Sequence, residues 1–276
     1  MKDLLAKFDL ESKSKFFLIF DVDGTLRPDE VTALDHRYPK VDPDIARKLM
    51  ELNTHERVRI IVLTARSCVD LFRSNLPKNI VKYCGFGKQV VENEAIRYPR
   101  EEFTKAYDET VFFIDIIKDI LGPQLSKDID FLITPGDFAI YFEADKYTEQ
   151  KKRIMSILEI VFAHSKRWDL LDLGKELIFK DSKYAYNKGN AVWDILDQTN
   201  LNDLTQVFLF GDSMADYQAM LALREYQKTY PQKRMKVTNV SIGPALINEE
   251  AVNLKFESYK QTLQFVNALH AKFFPE

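Results

Sequence analysis

Several things are scarce in this chain of 276 residues, and each scarcity removes a class of protein. Cysteine occurs twice, as Cys68 and Cys84. One pair is no disulfide framework, so both read as small core residues. No run approaches the roughly 18 consecutive apolar residues of a membrane span. The opening stretch, Met1 to Asp9, carries a charge every few positions and has no secretory apolar segment, so the cytoplasm is the expected compartment. Charge of either sign is not in excess: the formal net value is −3. That balance gives no general attraction to nucleic acid or an anionic membrane, and any phosphate-bearing ligand must be held by local groups. Internal repeats and low-complexity segments are absent. What remains is a chain with 46% apolar residues, enough for one large core or two ordinary ones.

The most informative stretch is Phe16-Phe-Leu-Ile-Phe20 followed by Asp21-Val22-Asp23-Gly24-Thr25-Leu26. Five apolar residues without a polar break suit a strand buried on both faces. The strand stops on two carboxylates spaced i, i+2, which face one space while the backbone stays extended. Ligands of open α/β sheets bind at that carboxyl end. Two carboxylates there repel unless a cation or a shared proton intervenes, so the pair reads as a hard-metal site with a nucleophilic oxygen beside it. The plainer alternative is an Asp-Gly turn after a core strand.

The same rhythm recurs. Asp42-Pro43 is a helix start, and Val58 to Leu63 is a second buried strand, halting at Thr64-Ala65-Arg66-Ser67 before a helix predicted over 69–76. Thr64 is a candidate anion ligand there, unless Thr64 or Ser67 serves only as a helix cap. A third strand closes on Gly85 and Gly87. Alternating strands and helices predict a doubly wound parallel sheet. From about residue 90 the pattern changes to a helix over 103–121, short strands at 131–134 and 138–142, a helix over 148–163, and strands near 168–173 and 177–179. Tight turns between strands, with the helices set apart, predict an α+β module at 90–182 inserted between two halves of a core, 1–89 and 183–276. In the second half a helix opens at Lys188-Gly189, and Val207 to Phe210 is a fourth buried strand that ends on Gly211-Asp212-Ser213-Met214-Ala215-Asp216. A last strand, 237–242, precedes a helix over 259–273.

Strand ends thus carry Asp21 and Asp23, Thr64, and Asp212 and Asp216, with Lys188 at a helix start between them. Singly, Lys188 suits a solvated surface and Asp212-Ser213 a helix cap. Together they suit Mg²⁺ and a phosphoryl group, whose charges balance four converging carboxylates. Lys188 supplies a point charge for a phosphate oxygen, one Asp can attack phosphorus, and the other can serve as acid and base.

This set of motifs resembles the haloacid dehalogenase-like phosphatase superfamily, over nearly the whole chain. The resemblance implies Asp21 as nucleophile, Asp23 as general acid and base, and Thr64, Lys188 and Gly24 around the phosphoryl group. It implies Mg²⁺ on Asp21, the main-chain carbonyl of Asp23, and Asp212, with Asp216 in support through water or Lys188. The insertion looks like the α+β cap of the Cof-type and trehalose-6-phosphate phosphatase branches, which selects the substrate. The implied partner is a small, sugar-like phosphorylated metabolite. Two departures from that branch are Ser213, where a second Asp is usual, and Phe179, where a sugar-contacting acid is expected. Substrate contacts are expected among Arg66, Glu143, His164, Lys166, Arg167 and Lys175. Alternatives are a phosphosugar mutase of phosphomannomutase type and a non-catalytic binding protein of the same fold.

Overall fold

The computed structural model describes residues 14–28, 39–125, 129–142, 147–162, 167–172, 176–199, 201, 205–246 and 249–275. The chain divides into two compact units, residues 1–97 with 186–276, and residues 98–185.

The first unit is built on β1 (Lys15–Phe20), β2 (Val58–Leu63), β3 (Val81–Cys84), β4 (Gln89–Glu92), β5 (Ala95–Arg97), β10 (Thr205–Gly211), β11 (Lys236–Ile242) and β12 (Leu254–Phe256). These form one sheet in the order β12-β11-β10-β1-β2-β3-β4-β5. Pairing is parallel from β12 to β3 and antiparallel where β4 and β5 extend the far edge. Successive side chains of a strand alternate between faces, and β1 displays the consequence. Phe16, Leu18 and Phe20 enter one core with α1 (Pro43–Leu52) and α7 (Tyr259–Phe273). Phe17 and Ile19 enter the other with α5 (Lys188–Asp197) and α6 (Met214–Thr229). Both faces are therefore covered, as the unbroken apolar run demanded. Asp42 caps α1 as expected, its Oδ1 accepting from Asp44 N at 2.9 Å and Ile45 N at 3.2 Å.

The short α2 (Cys68–Phe72) is capped by Ser67, so the helix expected over 69–76 is one brief turn-rich segment. The expected insertion at 90–182 begins inside β4. Val90 and Val91 pair with Tyr83 and Lys82 of β3, which keeps them in the first unit's sheet. β5, only Ala-Ile-Arg and all of it exposed, is too short to show the alternation by which that extension could be read.

The second unit runs α3 (Glu101–Leu125), β6 (Ile129–Thr134), β7 (Asp137–Phe142), α4 (Tyr147–Phe162), β8 (Trp168–Asp172) and β9 (Glu176–Asp181). Gly122, at φ 74°, interrupts α3 near its end. The four strands form an antiparallel sheet in the order β6-β7-β9-β8. Its core joins Phe138, Ile140, Leu177 and Phe179 to Ile114, Ile117, Ile154 and Leu158 of the helices. No helix among the described residues is long and apolar enough to cross a membrane.

Adjacent strands β1 and β10 are welded by ring contacts, with Phe20 stacked on Phe210 at 4.6 Å and Phe210 meeting Phe265 at 5.1 Å. Replacing Phe210 by Ala should cost about 3–5 kcal/mol through lost contact and the cavity left behind. Urea unfolding measures this; a loss under about 1 kcal/mol would show that the rings repack.

Candidate active site

β1 and β10 end side by side, and their ends are tied by the Asp21 amide donating to the Phe210 carbonyl at 3.1 Å. Beyond β1 the chain wraps tightly. The Val22 carbonyl accepts from Leu26 N at 2.8 Å and Arg27 N at 3.2 Å, while the Val22 side chain enters the core. Gly24 sits in that wrap at φ +65°, and a Cβ there would stand 1.8 Å from Asp212 Oδ2. Glycine is thus needed twice, for the left-handed backbone and for the carboxylate that approaches it.

Carboxylate oxygens of Asp21, Asp212 and Asp216 all lie within 4.8 Å of one another. Lys188, buried at the first turn of α5, reaches into this group with Nζ 3.0 Å from Asp21 Oδ1 and 2.7 Å from Asp216 Oδ1. Asn187 fixes that turn by accepting from Gly189 N and Asn190 N. Asp216 is held from its other side, Oδ2 accepting from Ser213 N at 3.1 Å and Ser213 Oγ at 2.6 Å. Gly211 leaves the room: a Cβ there would fall 2.3 Å from Asp216 Cγ. Asp212 precedes α6, which starts at Met214, so the two acids meet across a helix cap rather than along one helical face.

Burial is the largest influence on Asp21 and raises its pKa to about 8; Lys188 opposes the rise, and Asp216, Asp212 and Asp23 add to it. For Lys188, burial acts against the charge, but Asp21 and Asp216 outweigh it and hold the ammonium protonated. Three carboxylates facing one ammonium leave two negative charges when all are ionised. Asp21 Oδ1 is buried and has no hydrogen-bond partner, the Lys188 approach lacking the direction of one. An oxygen-lined, doubly negative space with an open buried oxygen fits a hard divalent cation. Asp21 and Asp212 have the donors for it, while both oxygens of Asp216 are already engaged.

Asp23 is placed differently from the expectation that four carboxylates converge. The strand has ended, so the i, i+2 rule no longer holds, and the Asp23 carboxylate is outside the trio. Arg66 grips it with Nε 2.5 Å from Oδ2 and Nη2 2.8 Å from Oδ1, and Arg27 Nε lies 3.5 Å from Oδ1. Two-pronged pairing of this kind fixes the direction of the carboxylate. The expected substrate contact Arg66 is therefore a partner of Asp23. Arg27 was not read from the sequence as a site residue; a cation four residues after Asp23 was the available sign. Thr64 ends β2 beside this loop, buried, its Oγ1 accepting from Arg66 N at 3.2 Å and its carbonyl from Phe86 N at 2.9 Å.

In the second unit, Arg167 pairs with Asp181 and Glu109, each at 2.5 Å, and so serves that unit's own structure rather than standing ready for a substrate. Phe179 stacks on Phe138 at 4.6 Å inside its core, which accounts for an apolar residue there. Glu143, His164, Lys166 and Lys175 lie outside the described residues.

The architecture is that of haloacid dehalogenase-like hydrolases. A trehalose-6-phosphate phosphatase C-terminal domain from C. albicans superposes with a TM-score of 0.65 at 18% identity, covering 98% of this chain and 97% of that one. A trehalose-6-phosphate phosphatase related protein gives 0.64 at 17% identity, over 93% and 98%. A haloacid dehalogenase-like hydrolase from Bacteroides thetaiotaomicron gives 0.53 at 11% identity, over 92% and 99%. No family model matches the chain, and no curated protein matches it in sequence.

A raised Asp21 has a measurable consequence. In the metal-free protein the folded state holds a proton on Asp21 between its ordinary pKa of 3.8 and about 8, where the unfolded chain has lost it. The contribution of this group to stability therefore falls as pH rises through that window. Asp21→Asn, neutral throughout, should gain on the wild type by up to about 1.4 kcal/mol per pH unit from pH 5 to 8 and no further above it. Urea unfolding with a chelator present tests this, and a difference independent of pH would refute the buried, uncompensated Asp21.

Proposed function

We propose that the chain is a Mg²⁺-dependent phosphomonoester hydrolase that works through an aspartyl-phosphate on Asp21, on a small sugar-like phosphate. The observation that carries the reading is Lys188 between Asp21 and Asp216, beside Asp212, at the carboxyl edge of a parallel sheet. Asp21, Asp212 and the main-chain carbonyl of Asp23 would hold Mg²⁺, with Asp216 acting through Lys188. The cation, when bound, lowers the repulsion between Asp21 and the phosphoryl oxygens.

The remaining steps belong to the chain. Lys188 binds a phosphoryl oxygen and holds Asp21 in line, and Thr64 contributes a hydroxyl from the neighbouring strand end. An Asp21 oxygen bonds to phosphorus as the ester P–O bond breaks. Asp23 gives its proton to the leaving oxygen, then takes one from the water that attacks phosphorus, freeing inorganic phosphate and restoring Asp21. Arg66 and Arg27 hold the Asp23 carboxylate in place beside the trio. For the first role Asp23 must leave the clamp and carry a proton. Residues 98–185 are assigned the choice of substrate. The phosphosugar mutase alternative draws no support from the structural likenesses, and the open buried oxygen on Asp21 favours a working site over a binding scaffold.

Hydrolysis of an aryl phosphate should require Mg²⁺ and vanish with a chelator. Asp21→Asn should lower it by at least about 10³-fold, and Asp23→Asn by about 10²–10⁴-fold. A phosphorylated-metabolite panel that includes trehalose 6-phosphate then identifies the substrate. Undiminished turnover in Asp21→Asn would remove the proposal.

A further inference from the structure

The opposite end of the first unit's sheet holds a second polar recess. A cavity of about 260 Å³ is lined by Arg224, Gln227 and Lys228 of α6, Val237 near the start of β11, and Asn253 just before β12. It lies at the amino end of β11, whereas the acidic site lies at the carboxyl ends of the strands. β11 has seven residues, so about 20 Å of strand separates the two ends.

Charge is what distinguishes this recess. Arg224 and Lys228 are spaced i, i+4, which puts them on one face of α6. Among the described residues neither has a carboxylate partner, although Glu225 is their neighbour on the helix and Glu249 and Glu250 precede Asn253 in the chain. In the same unit Arg47 pairs with Asp44 and Glu51, and Lys48 with Asp44. Arg224 is half-buried and Lys228 exposed, both line this recess, and an anion bound there relieves the repulsion between two like charges on one helix face.

Polar surroundings suit an oxyanion. Asn253 is fixed in place, its Oδ1 accepting from Asn239 N at 2.9 Å and its own N–H donating to the Asn239 carbonyl at 2.9 Å. Its side-chain amide hydrogens are not used in those bonds. Gln227 spends one amide hydrogen on the Met235 carbonyl at 2.8 Å, which orients the rest of its side chain. The strand edge is open as well. β12 first pairs at Val240, so the amino end of β11 has no described strand on its outer side. Two positive charges, amide donors and room for a few tens of atoms match a small dianion better than an apolar or cationic ligand.

We propose that Arg224, Lys228 and Asn253 form a second anion site, for inorganic phosphate or a small phosphate ester, apart from the acidic site. The proposal is independent of the hydrolase reading. The test is amide and arginine side-chain NMR of the full chain, titrated with inorganic phosphate in one arm and glucose 6-phosphate in the other, with sodium chloride at matched ionic strength as control. A chelator and the Asp21→Asn background keep any ester intact.

Saturable shifts of Arg224 Nε–H and Asn253 Nδ2–H are expected in at least one arm, and the arm identifies the source. In the Asp21→Asn background the double variant Arg224→Ser with Lys228→Ser should weaken that binding at least tenfold, and in the otherwise wild-type chain with Mg²⁺ it should leave the aryl-phosphatase rate within twofold and the thermal midpoint within a degree or two of the parent. Shifts confined to residues around Lys188, shifts reproduced by chloride, or binding unchanged in the double variant would each overturn the site.

Discussion

One buried ammonium makes the acidic edge of this protein possible. Lys188 stands between Asp21 and Asp216, in contact with both, where burial alone would expel charge. Removing either sign would leave the other uncompensated in a medium that solvates it poorly, a penalty of several kcal/mol. One ammonium is nevertheless too little for three carboxylates, and burial first, with the neighbouring acids adding to it, holds the pKa of Asp21 up against Lys188. The site is therefore stable enough to exist and short of positive charge, the condition that suits a cation.

The rest of the first unit serves to bring those groups together from distant parts of the sequence. Parallel strands β1 and β10 run side by side because both are apolar on both faces and helices cover each face. Their ends then coincide, and the acids that follow them meet without any contact of their own. Glycine at 24 and 211 admits the carboxylates at distances that any side chain would forbid. Ser213, where the resembling branch usually has a second Asp, donates to Asp216 and keeps it aimed at Lys188. An Asp there would set a fourth negative charge against Asp216 rather than bond to it.

How much of this the sequence disclosed depends on the kind of signal. Apolar runs gave β1, β2 and β10, because a strand buried on both sides has little polar alternation to confuse it. The acid cluster was legible because Asp21 and Asp212 stand at the ends of such runs, with Asp216 in the helix turn that follows. β4 and β5 were not seen, since Gln-Val-Val-Glu and Ala-Ile-Arg are too short to show a strand's pattern. The fate of Asp23 was also hidden: whether i and i+2 share a face depends on whether the strand continues, and here it stops at Phe20. Arg66 and Arg27 then take that carboxylate, an arrangement set by the path of two loops and not by spacing along the chain. Arg167 was misjudged for a similar reason, because its partner Asp181 is reached only across the β8–β9 pairing.

The account depends on Asp21 being the atom donor to phosphorus. Its most direct test is to quench the protein with acid during turnover of an aryl phosphate carrying radiolabelled phosphorus, and to map the labelled peptide. The label should sit on Asp21 as a hydroxylamine-sensitive acyl phosphate, and should be missing from the Asp21→Asn chain. Label on another residue, or full turnover with no covalent label at any quench time, would contradict it.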